Sequence, residues 1–355
     1  MSKVSASAQA VIYHELGYYD DVQMNGTHLA AHFGLAKSML ALLQRQHDVN
    51  YKDKSFGRAP LSYAVERGHG AVVKILVEHN ADVQTRDKSG RTPLIWASEN
   101  GLEAIARLLI DKNADVRSRD RDFGRTSLLW AASTGSEGLV KLLLDNNAAI
   151  DLPDKKNQTP LHWTTNKGNG FRTPISWAAK IGHENIVKLL LDNHAFIDSL
   201  DEDNQTPLSW AATRGHVGVV PQLLDKEADI DHVDYYGGTP LSRAASQGHE
   251  AVVRLLLQNG ATVDWPSYKD QIPFSLAAEK GHISTVRVLL ANNANPRYHD
   301  MFGRSPSTLA AEMGHGSVAT LLYEEECKRQ SISDSSDRAV PLAPCVSCLR
   351  DCRKV

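Results

Sequence analysis

A short phrase of Thr, Pro and an apolar residue recurs along this 355-residue chain at a spacing close to 33. Successive copies start 33, 34, 33, 14, 33, 33, 33 and 33 residues apart. They begin at Ala59, Thr92, Thr126, Thr159, Thr173, Thr206, Thr239, Ile272 and Ser305, and a degenerate copy begins earlier, at Asn25. A sustained period of roughly 20–50 residues is the signature of a solenoid, in which each unit buries its apolar face only against its neighbours. The chain is therefore expected to form a stack of similar units.

Each period has the pattern of two helices followed by a turn. Thr or Ser is suited to the N-cap, where its oxygen accepts a hydrogen bond from a free helix N–H, and Pro suits the next position because its missing N–H would be unpaired there. A glycine such as Gly215 then provides the left-handed conformation that ends the first helix. The second helix has apolar residues at i, i+3 and i+4, as in VVRLLL from Val252. The remaining residues alternate in polarity and end in glycine, which predicts a short β-hairpin.

The stretches GRTPLIWASENG and NQTPLSWAATRGHVGVV resemble ankyrin repeats, and the resemblance covers about residues 25–323. It implies an all-α solenoid with short β-hairpins, of about eight full repeats plus one half-repeat. It also implies a non-catalytic scaffold that binds a partner protein through its groove and hairpin tips. The Trp-containing form of the repeated motif, as in TPISWAA, is more loosely similar to the ankyrin arrays of fungal nucleotide-binding, receptor-like proteins. The alternative function is therefore the sensing or ligand-recognition part of a larger signalling protein whose NTPase domain is absent from this chain.

The pattern divides the chain into five segments. They are an irregular N-terminal segment or degenerate cap (1–24), a first repeat block (25–156), a truncated half-repeat or joint (157–170), a second block (171–323) and a disordered, Cys-containing tail (324–355). The 14-residue interval has room for only one helix. That helix either stacks with its neighbours, leaving a gap in the row of second helices, or is looped out. Pro221 predicts a shortened or kinked second helix, because a proline within a helix removes a hydrogen bond.

Composition excludes several classes of function. The formal net charge of −3 gives no global field toward nucleic acid, and no apolar run approaches the roughly 18 residues of a membrane span. The start of the chain lacks a secretory pattern, and the first 326 residues contain no cysteine, which fits an intracellular protein of the cytoplasm or nucleus. No phosphate-binding loop, HExxH or GxSxG motif occurs, so we expect no catalysis and no cofactor. The expected partner is an unidentified protein, and the chain itself is expected to be a monomer.

The chain has 15 histidines and four cysteines, but their positions in the sequence do not favour a metal site. Six histidines follow the turn glycine and are expected to be structural, because equivalent residues of stacked repeats lie too far apart to share a metal ion. The tail cysteines Cys345, Cys348 and Cys352 form only one CxxC pair, with Cys327 upstream. Since structural zinc usually requires four ligands, no metal site is expected.

Two aromatic series are candidate partner-binding residues. The first lies four residues after each cap and includes Trp96, Trp130, Trp177 and Trp210, with Tyr63 and Trp163 at the equivalent positions. These rings either line the groove or pack against the adjacent repeat. The second lies at the expected hairpin tips and comprises Phe56, Phe123, Tyr235, Tyr236, Met301 and Phe302. Exposed aromatic side chains on projecting turns are typical of interaction surfaces, with partial burial against the next turn as the alternative.

Overall fold

The computed structural model describes residues 24–154 and 172–335. Within those ranges the chain folds into helices that occur in pairs, one pair for each period. The helices are α1 Gly26–His32, α2 Ala36–Gln44, α3 Pro60–Glu66, α4 Gly70–Glu78, α5 Pro93–Glu99, α6 Glu103–Asp111, α7 Ser127–Thr134, α8 Glu137–Asp145, α9 Pro174–Ile181, α10 Glu184–Asp192, α11 Pro207–Arg214, α12 Val219–Leu224, α13 Pro240–Gln247, α14 Glu250–Gln258, α15 Pro273–Glu279, α16 Ile283–Ala291, α17 Pro306–Glu312 and α18 Gly316–Ser335.

The described residues fall into two compact units. Unit 1 holds those up to Ala178 together with Asp192–Ala195, and unit 2 holds Ala179–Leu191 together with those from Phe196 onward. In unit 1 the first helices α1, α3, α5 and α7 pack side by side, and α2, α4, α6 and α8 form a second row. In unit 2 the first helices α11, α13, α15 and α17 pack in the same way, with α12, α14, α16 and α18 as the second row. Both units therefore have the layered architecture that the period predicts.

The predicted capping residues open the first helices. Thr92 Oγ1 accepts a hydrogen bond from the N–H of Ile95 at 3.3 Å, and Thr239 Oγ1 accepts from Ser242 at 3.2 Å. Asn25, in the degenerate copy, caps α1 with a complete capping box. Gly215 ends α11 in the left-handed conformation, with φ of 75°. These local choices fix where each helix begins and ends, so the helix faces are in register along each unit.

Apolar residues of both helices fill the space between the rows. Leu94 and Ala97 of α5, and Val72 and Leu76 of α4, have no exposed surface. Complete burial of one such Leu or Val contributes about 1.5–3 kcal/mol. Since each layer buries these side chains against the next layer, stability depends on contacts between neighbours and not on one central core.

The segments that connect one repeat to the next first helix are tight turns and not the expected β-hairpins. We call them fingers; they comprise residues 53–58, 87–91, 120–125, 201–205, 234–238, 267–271 and 300–304. In each finger the first N–H donates to the last C=O, as from Asp87 to Arg91 at 3.1 Å. The Asp87 side chain also accepts from the N–H of Arg91 at 2.8 Å. Because side chains satisfy the N–H groups that a strand ladder would pair, only one isolated β-bridge, Arg119 with Thr126, occurs in the described ranges.

The 14-residue interruption of the period falls inside a finger. The N–H of Asp154 donates to the C=O of Arg172 at 3.1 Å, and Asp154 Oδ1 accepts from the N–H of Arg172 at 2.5 Å, the same two bonds that close the other fingers. The predicted half-repeat, 157–170, lies outside the described residues. Arg125 stacks on Trp177 of α9, as Arg91 stacks on Trp130 one repeat earlier. Arg125 and Trp177, which flank the interruption and both belong to unit 1, therefore keep the contact seen between successive repeats.

Two further helices test the sequence predictions. The helix α12 has six residues, whereas α14 has nine. Because α12 begins only at Val219, Pro221 lies in its first turn, where a missing N–H leaves no intrahelical bond unmade. The predicted shortening is confirmed.

The helix α18 continues to Ser335, past residue 324 where the tail was predicted to begin. The cysteines from Cys345 onward lie outside the described residues.

No helix of the part of the chain that the structure describes combines the length and the apolar character needed to cross a lipid bilayer. The longest, α18, has 20 residues but contains the polar run EEECKRQ.

Candidate functional site

Aromatic rings and guanidinium groups alternate along the first helices of unit 1. The rings are those four residues after each cap, and the arginines are those immediately before each cap. The Cζ of Arg58 lies 5.5 Å from the ring centroid of Tyr63 and 4.3 Å from that of Trp96. The Cζ of Arg91 lies 4.6 Å from Trp96 and 5.6 Å from Trp130. Arg125 continues the column to Trp177. These distances are within the range of cation–π attraction, so each arginine links two repeats.

Finger aspartates hold several of these rings in place. Trp96 Nε1 donates to Asp87 Oδ2 at 3.2 Å, and in unit 2 Trp210 Nε1 donates to Asp201 Oδ2 at 2.9 Å. The hydroxyl of Tyr63 donates to Asp53 in the same way, and burial beside that carboxylate raises the pKa of the phenol. Tyr63, Trp96 and Trp210 are thus fixed both by stacking and by a hydrogen bond at the polar edge of the ring, whereas the buried Nε1 of Trp130 has no hydrogen-bond partner among the described residues.

The predicted tryptophans differ in exposure. Only 7% of Trp96 and 8% of Trp210 is exposed, which leaves little ring surface for a partner. Trp130 and Trp177 are half-buried. Trp163 lies outside the described residues. Within the column of unit 1, Trp130 and Trp177 are therefore the tryptophans whose rings are more accessible to a partner.

Two of the arginines also form ion pairs with the last turn of the following helix. Arg58 Nη1 donates to Glu66 Oε2 at 3.0 Å, and Arg91 Nη1 donates to Glu99 Oε2 at 2.9 Å. Burial raises the pKa of the Glu99 carboxyl, although the charge of Arg91 opposes that shift. The residue at the equivalent position of α7 is Ser133, so Arg125 has no glutamate eight residues later in the sequence.

The finger tips of unit 2 carry large, exposed aromatic and apolar side chains. Tyr235 is 62% exposed and Phe302 is 66% exposed, with Tyr236 and Met301 exposed beside them. Phe56, at a tip of unit 1, is only just exposed, and Phe123 is half-buried. The predicted tip residues therefore fall into a strongly exposed group in unit 2 and a more covered pair in unit 1.

Tyr268, which sequence reasoning missed, is the most exposed of the tip aromatics, at 72%. The prediction relied on a glycine after the aromatic residue, but in this finger Asp270 occupies that place with a positive φ of 51°. Counting back two residues from Asp270 gives Tyr268, as counting back from Gly303 gives Met301. The 33-residue register alone could have found it.

Neighbouring tips of unit 2 are joined through their backbones. The N–H of Tyr235 donates to the backbone C=O of Asp203 at 3.1 Å, and the N–H of Met301 donates to the backbone C=O of Lys269 at 3.2 Å. Gly237 lies so close to the next finger that a Cβ there would be 2.6 Å from the nitrogen of Tyr268. The side chains on these tips therefore form one continuous row.

Guanidinium groups support two of the exposed rings. Arg243 Cζ lies 5.7 Å from the centroid of Tyr236, and Arg304 Cζ lies 5.1 Å from that of Phe302. Arg304 also donates to Asp300 through Nε at 2.9 Å. Burial alone would raise the pKa of Asp300, but hydrogen bonds from the backbone and side chain of Arg304 and from the N–H of Phe302 outweigh it and lower the pKa. The tip geometry is thus fixed by a charged pair at its base.

The turn histidines contact the preceding repeat. His249 Nε2 donates to the C=O of Thr213 at 3.1 Å, and His282 Nε2 donates to that of Ser246 at 3.1 Å. In residues 24–154 and 172–335 no group of three or more His, Cys, Asp or Glu side chains is placed to hold a metal ion.

The chain matches the protein family described as ankyrin repeats (3 copies), over residues 27–120, 115–171 and 175–267. These matches cover more than half of the sequence. The chain belongs to the ankyrin-repeat family. A comparison with curated proteins found no match. Ankyrin repeats are generally modules of protein–protein interaction and are typically non-catalytic, which agrees with the resemblance noted from the repeated phrases.

Proposed function

We propose that this ankyrin-repeat protein binds a partner protein through the finger tips of unit 2. The observation that carries the proposal is the continuous row formed by Tyr235, Tyr236, Tyr268, Met301 and Phe302 on three successive fingers. With adjacent layers about 10 Å apart, the row spans about 20 Å. Contiguous exposed apolar surface of this kind marks interaction sites, and Tyr and Phe provide large contact areas with few rotatable bonds.

Two features of the row favour specific binding. Arg243 and Arg304 stack on rings of the row, so those rings are held before a partner arrives. Pre-organised side chains lose less conformational entropy on binding than mobile ones. The backbone hydrogen bond from Met301 to Lys269 and the close approach of Gly237 to Tyr268 fix the spacing of the three tips, which favours a partner with matching pockets.

The test uses the full chain as affinity bait in an extract of cells that express it, with chemical crosslinking and mass spectrometry as the readout. The test variant replaces Tyr235, Tyr268 and Phe302 with Ser. Truncation of a hot-spot aromatic residue costs about 2 kcal/mol or more, so the loss of three tip side chains is expected to decrease the captured partner at least about tenfold. Far-ultraviolet circular dichroism and melting curves of each variant check that the fold is retained.

The matched control is Phe196→Ser, since Phe196 is similarly exposed in unit 2 but lies outside the fingers. Capture of one defined partner by the wild type and by this control, with loss in the triple variant, would support the finger surface. Unchanged capture by the triple variant, or equal loss in the control, would contradict it.

A further inference from the structure

The repeats of unit 1 provide an internal comparison for Arg125. Arg58 and Arg91, the equivalent arginines of the two preceding repeats, each donate through Nη1 to a glutamate eight residues later. The residue eight after Arg125 is Ser133. Among the described residues no carboxylate accepts a hydrogen bond from Arg125, and only its Nε is both buried and unbonded. Its Nη nitrogens, which would donate to the glutamate in another repeat, therefore make no hydrogen bond to a carboxylate in the described part of the chain.

Arg125 is nevertheless held in a fixed position. Its Cζ lies 4.7 Å from the ring of Phe123, 4.7 Å from that of Trp130 and 5.3 Å from that of Trp177. Its Nε lies 3.6 Å from Asp154 Oδ2, just as Arg58 Nε lies 3.7 Å from the next finger aspartate. The side chain is 12% exposed. A guanidinium fixed between aromatic planes loses little freedom when it binds an anion.

The neighbouring parts of the chain do not supply the missing carboxylate. The inserted residues 155–171 contain neither aspartate nor glutamate. The charge of Arg125 acts on Glu99, but the hydrogen bond of that glutamate comes from Arg91. The repeat pattern thus leaves Arg125 without the glutamate that the two preceding arginines of the pattern have.

We propose that Arg125, between Trp130 and Trp177, binds an aspartate or glutamate side chain of a partner protein. The incoming carboxylate would occupy the position that Glu66 and Glu99 occupy beside the earlier arginines. The indole rings would contact the aliphatic carbons of the partner's Asp or Glu side chain. The planar guanidinium matches a carboxylate with two parallel hydrogen bonds. This inference rests on the proposed function only in taking the ligand to be a protein, since the surface is different from the finger row.

The first experiment selects binders from a random dodecapeptide display library against the full chain. Wild type and Ser133→Gln are expected to enrich peptides rich in Asp and Glu. Ser133→Glu provides the carboxylate within the chain, and Arg125→Met removes its partner, so both are expected to lower the recovery of acidic peptides about tenfold or more. Absence of acidic enrichment on the wild type, or equal enrichment on Arg125→Met, would overturn the proposal.

The second experiment needs no partner. Relative to Ser133→Gln, the Ser133→Glu variant is expected to melt about 1–2 °C higher at low salt, with a smaller difference at high salt, because the new carboxylate pairs with Arg125. Equal melting temperatures at low salt would show that the position does not accept a carboxylate and would count against the proposal.

The finger variant separates this inference from the proposed function. Acidic peptides selected on the wild type should still bind the chain in which Tyr235, Tyr268 and Phe302 are replaced by Ser. Their retention, with loss in Ser133→Glu, would support the Arg125 site whatever the finger row does. Loss of those peptides in the finger variant alone would assign them to the finger row and contradict the Arg125 site.

Discussion

Replacement of Arg91 by Met tests whether the alternating column stabilises unit 1. The substitution removes the stacking of one guanidinium on Trp96 and Trp130 and its hydrogen bond to Glu99. At partly buried sites each cation–π contact contributes about 1 kcal/mol. The charged hydrogen bond adds about 1 kcal/mol, because Glu99 is partly exposed and can be rehydrated. The methionine recovers some apolar contact, so the expected loss of unfolding free energy is about 2–3 kcal/mol.

The assay is equilibrium urea unfolding followed by far-ultraviolet circular dichroism. Tryptophan fluorescence is unsuitable, because the substitution changes the environment of the indole rings directly. The control is Arg107→Met, which removes an exposed helical pair with Glu103 at 3.0 Å. Pairs of that kind contribute about 0.3–0.5 kcal/mol. If Arg91→Met destabilises the protein no more than Arg107→Met does, the column is not a source of stability and the reasoning is refuted.

Three further predictions concern the turns, the shortened helix and the fingers. Gly248→Ala should destabilise more than Gly314→Ala in thermal melts, because both glycines have φ between 75° and 79° but only at Gly248 would a Cβ lie within 2.5 Å of an imidazole of the next repeat; equal effects would contradict the clash. Pro221→Ala should change the unfolding free energy by less than about 1 kcal/mol, since the proline lies in a first turn, and a stabilisation near the roughly 3 kcal/mol of an interior proline would disprove this placement. Asp300→Asn should destabilise most at neutral pH, because a carboxyl whose folded pKa is lowered contributes stability above its usual pKa that is lost as the pH falls through the folded value; a difference in denaturation midpoint that does not shrink in acid would contradict the assigned shift.

The helices could be predicted from the sequence because their signals are local. Capping by Thr92 and Thr239, termination at Gly215 and the late start of the helix around Pro221 each depend on the conformational preference of one or two residues. The repetition of those residues at a fixed period made the layered fold an equally direct expectation.

The fingers and the site depend on side-chain hydrogen bonds and on contacts between neighbouring repeats, which the local sequence pattern does not predict. The hairpin expectation failed because Asp87 and its equivalents replace a strand ladder with side-chain hydrogen bonds. Trp96 and Trp210 are covered because arginines and lysines of neighbouring layers stack on them; Lys180 Nζ lies 4.3 Å from the ring of Trp210. The spacing of Arg91 and Trp96 in sequence gives no indication that the same arginine also reaches the next ring.

The closure of Asp154 on Arg172 has a consequence for how this molecule can change. The other fingers join their two ends across four or five residues, whereas here the same two hydrogen bonds form across eighteen. By chain statistics, extending the interval in this way costs only about 1 kcal/mol of closure entropy. Extra sequence can therefore be accepted or discarded at such a tip while the helical layers stay in place, and a peptide epitope or reporter domain could be grafted between these two residues.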